Sequence, residues 1–161
     1  MAQKAPTSIP KGMYSITPSL WFNGNCKEAI DFYKKAFKAE VQGEIAWSPD
    51  GKSVWHAMIK IGNSNIMLAD AMPDSWEKGP EKSSTAGLWL YTDNCDDVFN
   101  TAVKSGSSVI MPVGDMFWGD RMGKLKDPYG HTWAIATNQW IYTPEEVNKK
   151  MEEFLAEAAK Q

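Results

Sequence analysis

Histidine is scarce in this sequence: His56 and His131 are the only two among 161 residues. A metal centre built on imidazoles has little to draw on. Cysteine is as rare, with Cys26 and Cys95 alone, so there is no disulfide framework and no Cys-x-x-Cys pair. No stretch approaches the roughly 18 consecutive apolar residues of a membrane-spanning helix. Charge of one sign is also missing. Lys and Arg number 17 against 20 Asp and Glu, a net charge of -3, which excludes the strongly basic face of a typical nucleic-acid binder. Phosphate-cradling glycine loops and an ordered Ser-His-Asp set are absent. The first residues, Met1 to Lys11, are polar with Pro6 and Pro10 and have no signal-peptide core. A cytoplasmic protein with a loose arm over residues 1–13 is the expectation.

What is present is ordinary globular material with one excess. Hydrophobic residues are 43% and charged residues 23%, and a chain of this length buries a core without covalent staples. The excess is tryptophan, eight residues, enough for a broad aromatic surface. The chain also repeats itself. Leu20-Trp21-Phe22-Asn23-Gly24-Asn25-Cys26 is echoed by Leu88-Trp89-Leu90-Tyr91-Thr92-Asp93-Asn94-Cys95. After each cysteine the apolar residues follow helical spacing: Ile30, Tyr33 and Phe37, then Val98, Phe99 and Ala102. Asn25 and Asn94 stand where N-caps belong.

Strands follow each helix. In the first half they are expected over 41–47, 53–61 and 66–70, with turns at Pro49-Asp50-Gly51 and Gly62-Asn63-Ser64-Asn65. In the second half they are expected over 108–113, 118–126 and 133–137, with a tight turn at Asp127-Pro128-Tyr129-Gly130-His131. This gives an arm (1–13), a module (14–71), a linker (72–85) containing Trp76, a second module (86–140) and a C-terminal helix (141–161). Thr143-Pro144-Glu145-Glu146 has the form of a capping box with proline at the first helical position. Val147, Met151, Phe154, Leu155 and Ala158 make an apolar stripe on that helix. The stripe packs on its own domain or on a partner subunit.

Together, the paired β-α-β-β-β order, the Ala29-Ile30-Asp31-Phe32-Tyr33 helix and the Asp127 to His131 turn resemble the vicinal oxygen chelate superfamily, the fold of glyoxalase, bleomycin-resistance proteins and ring-cleaving dioxygenases. Ile16-Thr17-Pro18, Ile61-Gly62-Asn63-Ser64, Phe117-Trp118-Gly119-Asp120-Arg121 and Asp127 to Trp133 narrow the resemblance to its PhnB-like branch. The resemblance spans residues 14–140 and reaches the Thr143 helix. It implies an α+β fold in which two βαβββ modules form a curled mixed sheet around a central cleft, with helices outside, and it implies a homodimer. Strand alternation then turns Ser19, Trp21, His56, Met58, Lys60, Gly87, Trp89 and Tyr91 to the cleft, and Leu20, Phe22, Ala57, Ile59, Ile61, Leu88 and Leu90 to the helices.

Enzymes of that superfamily hold a divalent metal through His, Glu or Gln at four strand positions, where an open coordination site polarises vicinal oxygens. Carried onto this sequence, the positions fall within Thr17, Pro18 and Ser19, near Met67, at Gly87 and at Ala134. None is a good ligand, so no metal and no cofactor are expected. His56 is either a satisfied sheet histidine or a general base beside a ligand. His131 is expected to hydrogen-bond within its turn. Cys26 and Cys95 each open a helix, a place that can activate a thiol, or they share a packing role. Arg121 either pairs with an acid such as Asp120 or clamps an anion. The expected ligand set is Trp21, His56, Met58, Trp89, Tyr91, Trp118, Asp120 and Arg121, around an aromatic or anionic small molecule. The leading function is metal-free small-molecule binding of the bleomycin-resistance kind, with neither nucleic acid nor membrane as partner. Two alternatives stand. One is an enzyme (lyase, isomerase or dioxygenase-like) using His56, Arg121 or a divalent metal at an unregistered site. The other is a homodimeric interaction module with a vestigial cleft.

Overall fold

The structure is a computed structural model and describes residues 2–160. The chain divides into two units. One comprises the residues up to Gly79 apart from Lys35–Phe37; the other comprises those three and Pro80 onward. The first contains β1 (Ser19–Phe22), β2 (Glu40–Val41), β3 (Ala46–Trp47), β4 (Val54–Ile61) and β5 (Ser64–Asp70), together with most of α1 (Cys26–Phe37). The second contains β6 (Gly87–Tyr91), α2 (Cys95–Lys104), β7 (Ser108–Asp115), β8 (Asp120–Lys126), β9 (Thr132–Asn138) and α3 (Pro144–Ala158). The fold is thus α+β, two mixed sheets and three helices, as the repeat predicts. Among the described residues no helix is long and apolar enough to cross a membrane.

In the first sheet the strand order is β1-β5-β4-β2, with β3 also paired to β4. β1 runs parallel to β5, and the other pairs are antiparallel. Alternation along β4 from His56 on buries Ala57, Ile59 and Ile61 and leaves His56 and Lys60 exposed, with Met58 half-buried. Val54, out of phase beside the bulge against β3, is also buried. The single strand expected over 41–47 is instead two short pieces. Gln42 extends the ladder by one bond to the Met58 carbonyl (2.8 Å), and Gly43 then turns the chain through φ +71°. On α1, Cys26, Ala29, Ile30, Tyr33 and Phe37 are buried, and the Phe22 ring meets Tyr33 edge-on with centroids 6.4 Å apart.

The expected Asn25 cap does not form, since its side chain makes no capping bond. Asp70, at the end of β5, does that work from across the sheet. Its buried carboxylate accepts from the amide of Cys26 at 2.9 Å and from that of Val54 at 2.8 Å. An anion at a helix N-terminus fills an orphan donor and complements the helix dipole.

The second sheet has the order β6-β9-β8-β7, with β6 parallel to β9. α2 covers one face so closely that a Cβ at Gly123 would lie 2.7 Å from the Phe99 ring. Here Asn94 does cap, accepting from the Asp97 amide, and Thr137 Oγ1 accepts from the amide of Cys95 at 2.9 Å. The Asp127 to His131 turn closes on a buried carboxylate. Asp127 accepts from the amides of Tyr129 (3.0 Å) and His131 (2.9 Å) and from Trp133 Nε1 (3.0 Å). The capping box of α3 forms between Thr143 and Glu146. No residue of α3 is buried; Phe154 touches Phe117 with centroids 5.8 Å apart, while Leu155 stays exposed. The stripe is therefore only partly covered by its own unit.

Asp70→Ala strips two buried amides of their acceptor. The expected loss is about 2 kcal/mol or more of unfolding free energy, read by urea denaturation. A change within about 0.5 kcal/mol would show that the carboxylate does not hold α1 to the sheet.

Candidate functional site

The strongest convergence of polar and aromatic side chains lies on the face of the second sheet opposite α2. Cross-strand register builds it row by row. Trp89, Ala134 and Lys124 lie in one row, then Tyr91, Ala136 and Met122, then Asn138 and Asp120. Met122, Ala134 and Ala136 form an apolar cluster, against which Met111 and Met116 pack.

Asp120 anchors this face. It is 3% exposed, and both oxygens are used: Oδ1 accepts from Asn138 Nδ2, and Oδ2 from Tyr91 Oη and Trp118 Nε1, all at 2.9 Å. Burial pushes its pKa up, but the bonds from Asn138, Trp118 and Tyr91 outweigh that and hold it below the usual carboxylate range. The same bond holds the Tyr91 phenol above its ordinary value, with burial adding to the rise. The result is an aromatic wall fixed at its polar ends. Trp89 and Tyr91 remain 46% and 58% exposed, with ring centroids 6.2 Å apart.

Beside Trp89 lies a recess of about 260 Å³ lined by Gly87, Leu88, Trp89, Ile110, Lys124, Thr132, Trp133 and Ala134. Gly87 and Ala134 are two of the four positions where the superfamily places metal donors. In the first half, Ser19 pairs with Met67, whereas in the second Gly87 pairs with Thr132. The register partner of the Ala134 position is thus Ala69 rather than Met67, one pleat away. Either register supplies only hydroxyls and a thioether, and the Thr132 hydroxyl donates to the Ala86 carbonyl at 3.0 Å. Among the described residues, no three His, Cys, Asp or Glu side chains gather as a metal site. The residues do not fit the superfamily's donor set.

Of the expected ligand set, Trp89, Tyr91, Trp118 and Asp120 come together on this face. Trp21, His56 and Met58 belong to the first unit, where they share one face of its sheet: Trp21 pairs with Ala69, His56 with Ala46 and Met58 with Met67. Arg121 requires a correction. Alternation on β8 sends it to the face opposite Asp120, against α2. There Asp96 takes its Nε (2.7 Å) and Nη2 (2.8 Å), and Asp115 takes Nη1 (3.0 Å). That two-pronged bond holds the Asp96 carboxyl below its ordinary pKa. Arg121 is thus a brace between α2 and β7, and its partners are neither Asp120 nor a tail acid. The cysteines follow the packing alternative. Burial, with the Asp70 and Glu28 charges adding, pushes the Cys26 thiol up to about 12. Cys95 is also buried, donating from Sγ to the Arg121 carbonyl at 3.2 Å. Lys124, absent from the expected set, is the charged group that lines the recess; its even position on β8, four residues after Asp120, was the available signal.

The profile of the Glyoxalase/Bleomycin resistance protein/Dioxygenase superfamily matches residues 17–135. The chain belongs to this superfamily. An uncharacterized protein of Mycobacterium bovis is 37% identical over 112 residues, covering 66% of this chain and 72% of that one. Among solved structures, protein PA1353 of Pseudomonas aeruginosa is 26% identical with a TM-score of 0.65, covering 79% of this chain and 99% of its own. The PhnB protein of Bacillus cereus shares the fold, with a TM-score of 0.64 at 22% identity over 77% of this chain and 99% of its own.

The Asp120 hub carries a pH signature. Its native pKa lies below the unfolded value of about 3.9, so its contribution is complete above that value. It disappears as pH falls through the lower native pKa. Asp120→Asn presents an amide to donors that need an acceptor and should cost about 1–3 kcal/mol at pH 7. In urea titrations of both proteins, the stability gap should hold from pH 7 to 5 and narrow below about pH 4. A gap unchanged at pH 2 would refute this account.

Proposed function

We propose that this chain is a small-molecule-binding member of the superfamily that works without the superfamily metal, holding its ligand against the aromatic face of the second sheet. The observation that carries the reading is the recess beside Trp89. An indole is left half exposed there next to a neighbouring phenol, whose hydroxyl is held by Asp120. Ligand sites are typically apolar concavities with a few placed polar groups. Trp and Tyr supply flat contact area at little conformational cost, so a planar, partly apolar ligand fits best. The two Gly and Ala positions support the metal-free part of the reading, because neither offers a donor atom on its side chain.

Titration of the protein with a panel of planar aromatic acids, followed by tryptophan fluorescence and calorimetry, should give saturable quenching. Trp89→Ala should weaken that binding about tenfold. Prior treatment with a chelator should leave the affinity unchanged. A stoichiometric transition metal in the purified protein, with a clear rise in Tm on adding that ion, would overturn the metal-free reading.

A further inference from the structure

The placement of charge on this face points to a ligand class. We propose that Lys124 is the anion-binding group of the recess, and that the ligand is a compact planar ring carrying one carboxylate. This rests on the small-molecule reading above and assigns its chemistry.

Lys124 sits mid-strand on β8, with Ala134 of β9 on one side and Met111 of β7 on the other. Pairing on both flanks fixes its backbone and the face of the sheet to which its side chain turns. The lining around it is apolar or neutral, and no carboxylate is among the lining residues. No salt bridge to Lys124 forms among the described residues. The acid that shares its strand face is Asp120, two pleats away at about 13 Å, and both its oxygens are already taken by three donors. Two other cations lie on β8. Arg121 is held on the opposite face by Asp96 and Asp115. Lys126, two residues further along the same face beside Thr132, does not line the recess. In a chain of net charge -3, this recess presents a positive group without a counter-charge.

Geometry supplies the rest of the ligand. Gly87 and Ala134 leave room beside the Trp89 ring for a flat body. The recess, about 260 Å³, lies just under the usual range of about 300–1,000 Å³ for small-molecule pockets. One or two fused rings fit that space. A ring on the indole also displaces water from around the ammonium, which strengthens its contact with a carboxylate.

The test is a matched series on one ring: 1-naphthoate, 1-naphthylmethanol and 1-naphthylmethylammonium, titrated calorimetrically into the intact protein at low and moderate salt. The carboxylate should bind about tenfold or more tighter than the alcohol, and the ammonium compound weakest. Lys124→Met should remove the preference for carboxylate over alcohol while leaving alcohol binding within about twofold; Lys124→Arg should restore it. Far-UV circular dichroism and Tm confirm that both variants fold. Equal binding of carboxylate and alcohol, or a preference that survives Lys124→Met, overturns the charge assignment alone. Failure of all three compounds to bind overturns the small-molecule reading and this one with it.

Discussion

A carboxylate taken out of water must have its lone pairs filled, or it costs several kcal/mol. Three aspartates in this chain meet that demand; Asp70 and Asp120 do so by drawing together segments far apart in sequence, Asp127 by closing its own turn. Asp70 joins the start of α1 to the start of β4. Asp127 folds its own turn and reaches the indole of Trp133. Asp120 collects donors from β6, from the segment before β8 and from β9. In the last case the orientation of the aromatic wall is a consequence of satisfying a charge. Tyr91 and Trp118 are aimed by their polar ends, and their ring faces are then available to something else.

The two halves of the repeat solve the same local problems with different residues. Both need an acceptor at the N-terminus of the helix that follows the first strand. The first half uses the Asp70 carboxylate, the second the Thr137 hydroxyl and the Asn94 side chain. A full charge suits the buried α1 start. The second half instead places its charges around Arg121, between α2 and β7. That clamp puts the ion pairs of Arg121 on the helix side, while the opposite face carries Asp120, Lys124 and Lys126. The asymmetry in charge between the halves follows from where each places its acids.

Much of the architecture was legible because it is local. Alternation in residues 56–61 and Gly87–Tyr91 sorted their faces correctly, and the Thr143 box marked the start of α3. The superfamily was legible from ordered short motifs for the same reason. What sequence reasoning missed depends on register between distant strands. Trp89 and Trp133 look alike in sequence, yet Trp89 pairs with Ala134. Trp133 therefore points to the other face, where it is buried and bonded to Asp127. Arg121 follows Asp120 directly, but one step along a strand reverses a side chain. Its partner Asp96 lies 25 residues away on a helix whose position no local pattern specifies. Asn25 failed as a cap because a better acceptor arrived from 44 residues downstream of Cys26.

The donor positions of the superfamily sharpen the functional argument. A set of His and Glu on this sheet would make the face polar and partly anionic, and would draw ligands through a bound cation. Gly87 and Ala134 carry no donor atom on their side chains, and both line the recess. What this face offers a ligand is an indole face, a phenol, polarizable methionines and, at the recess, the Lys124 ammonium group. Stacking and dispersion tolerate many flat molecules, so they supply affinity with little discrimination. An ammonium group without a counter-charge beside an apolar lining discriminates by charge, because an anionic ligand pairs with it and a cationic one is repelled. Breadth in shape with selectivity in charge is the behaviour this combination of groups favours.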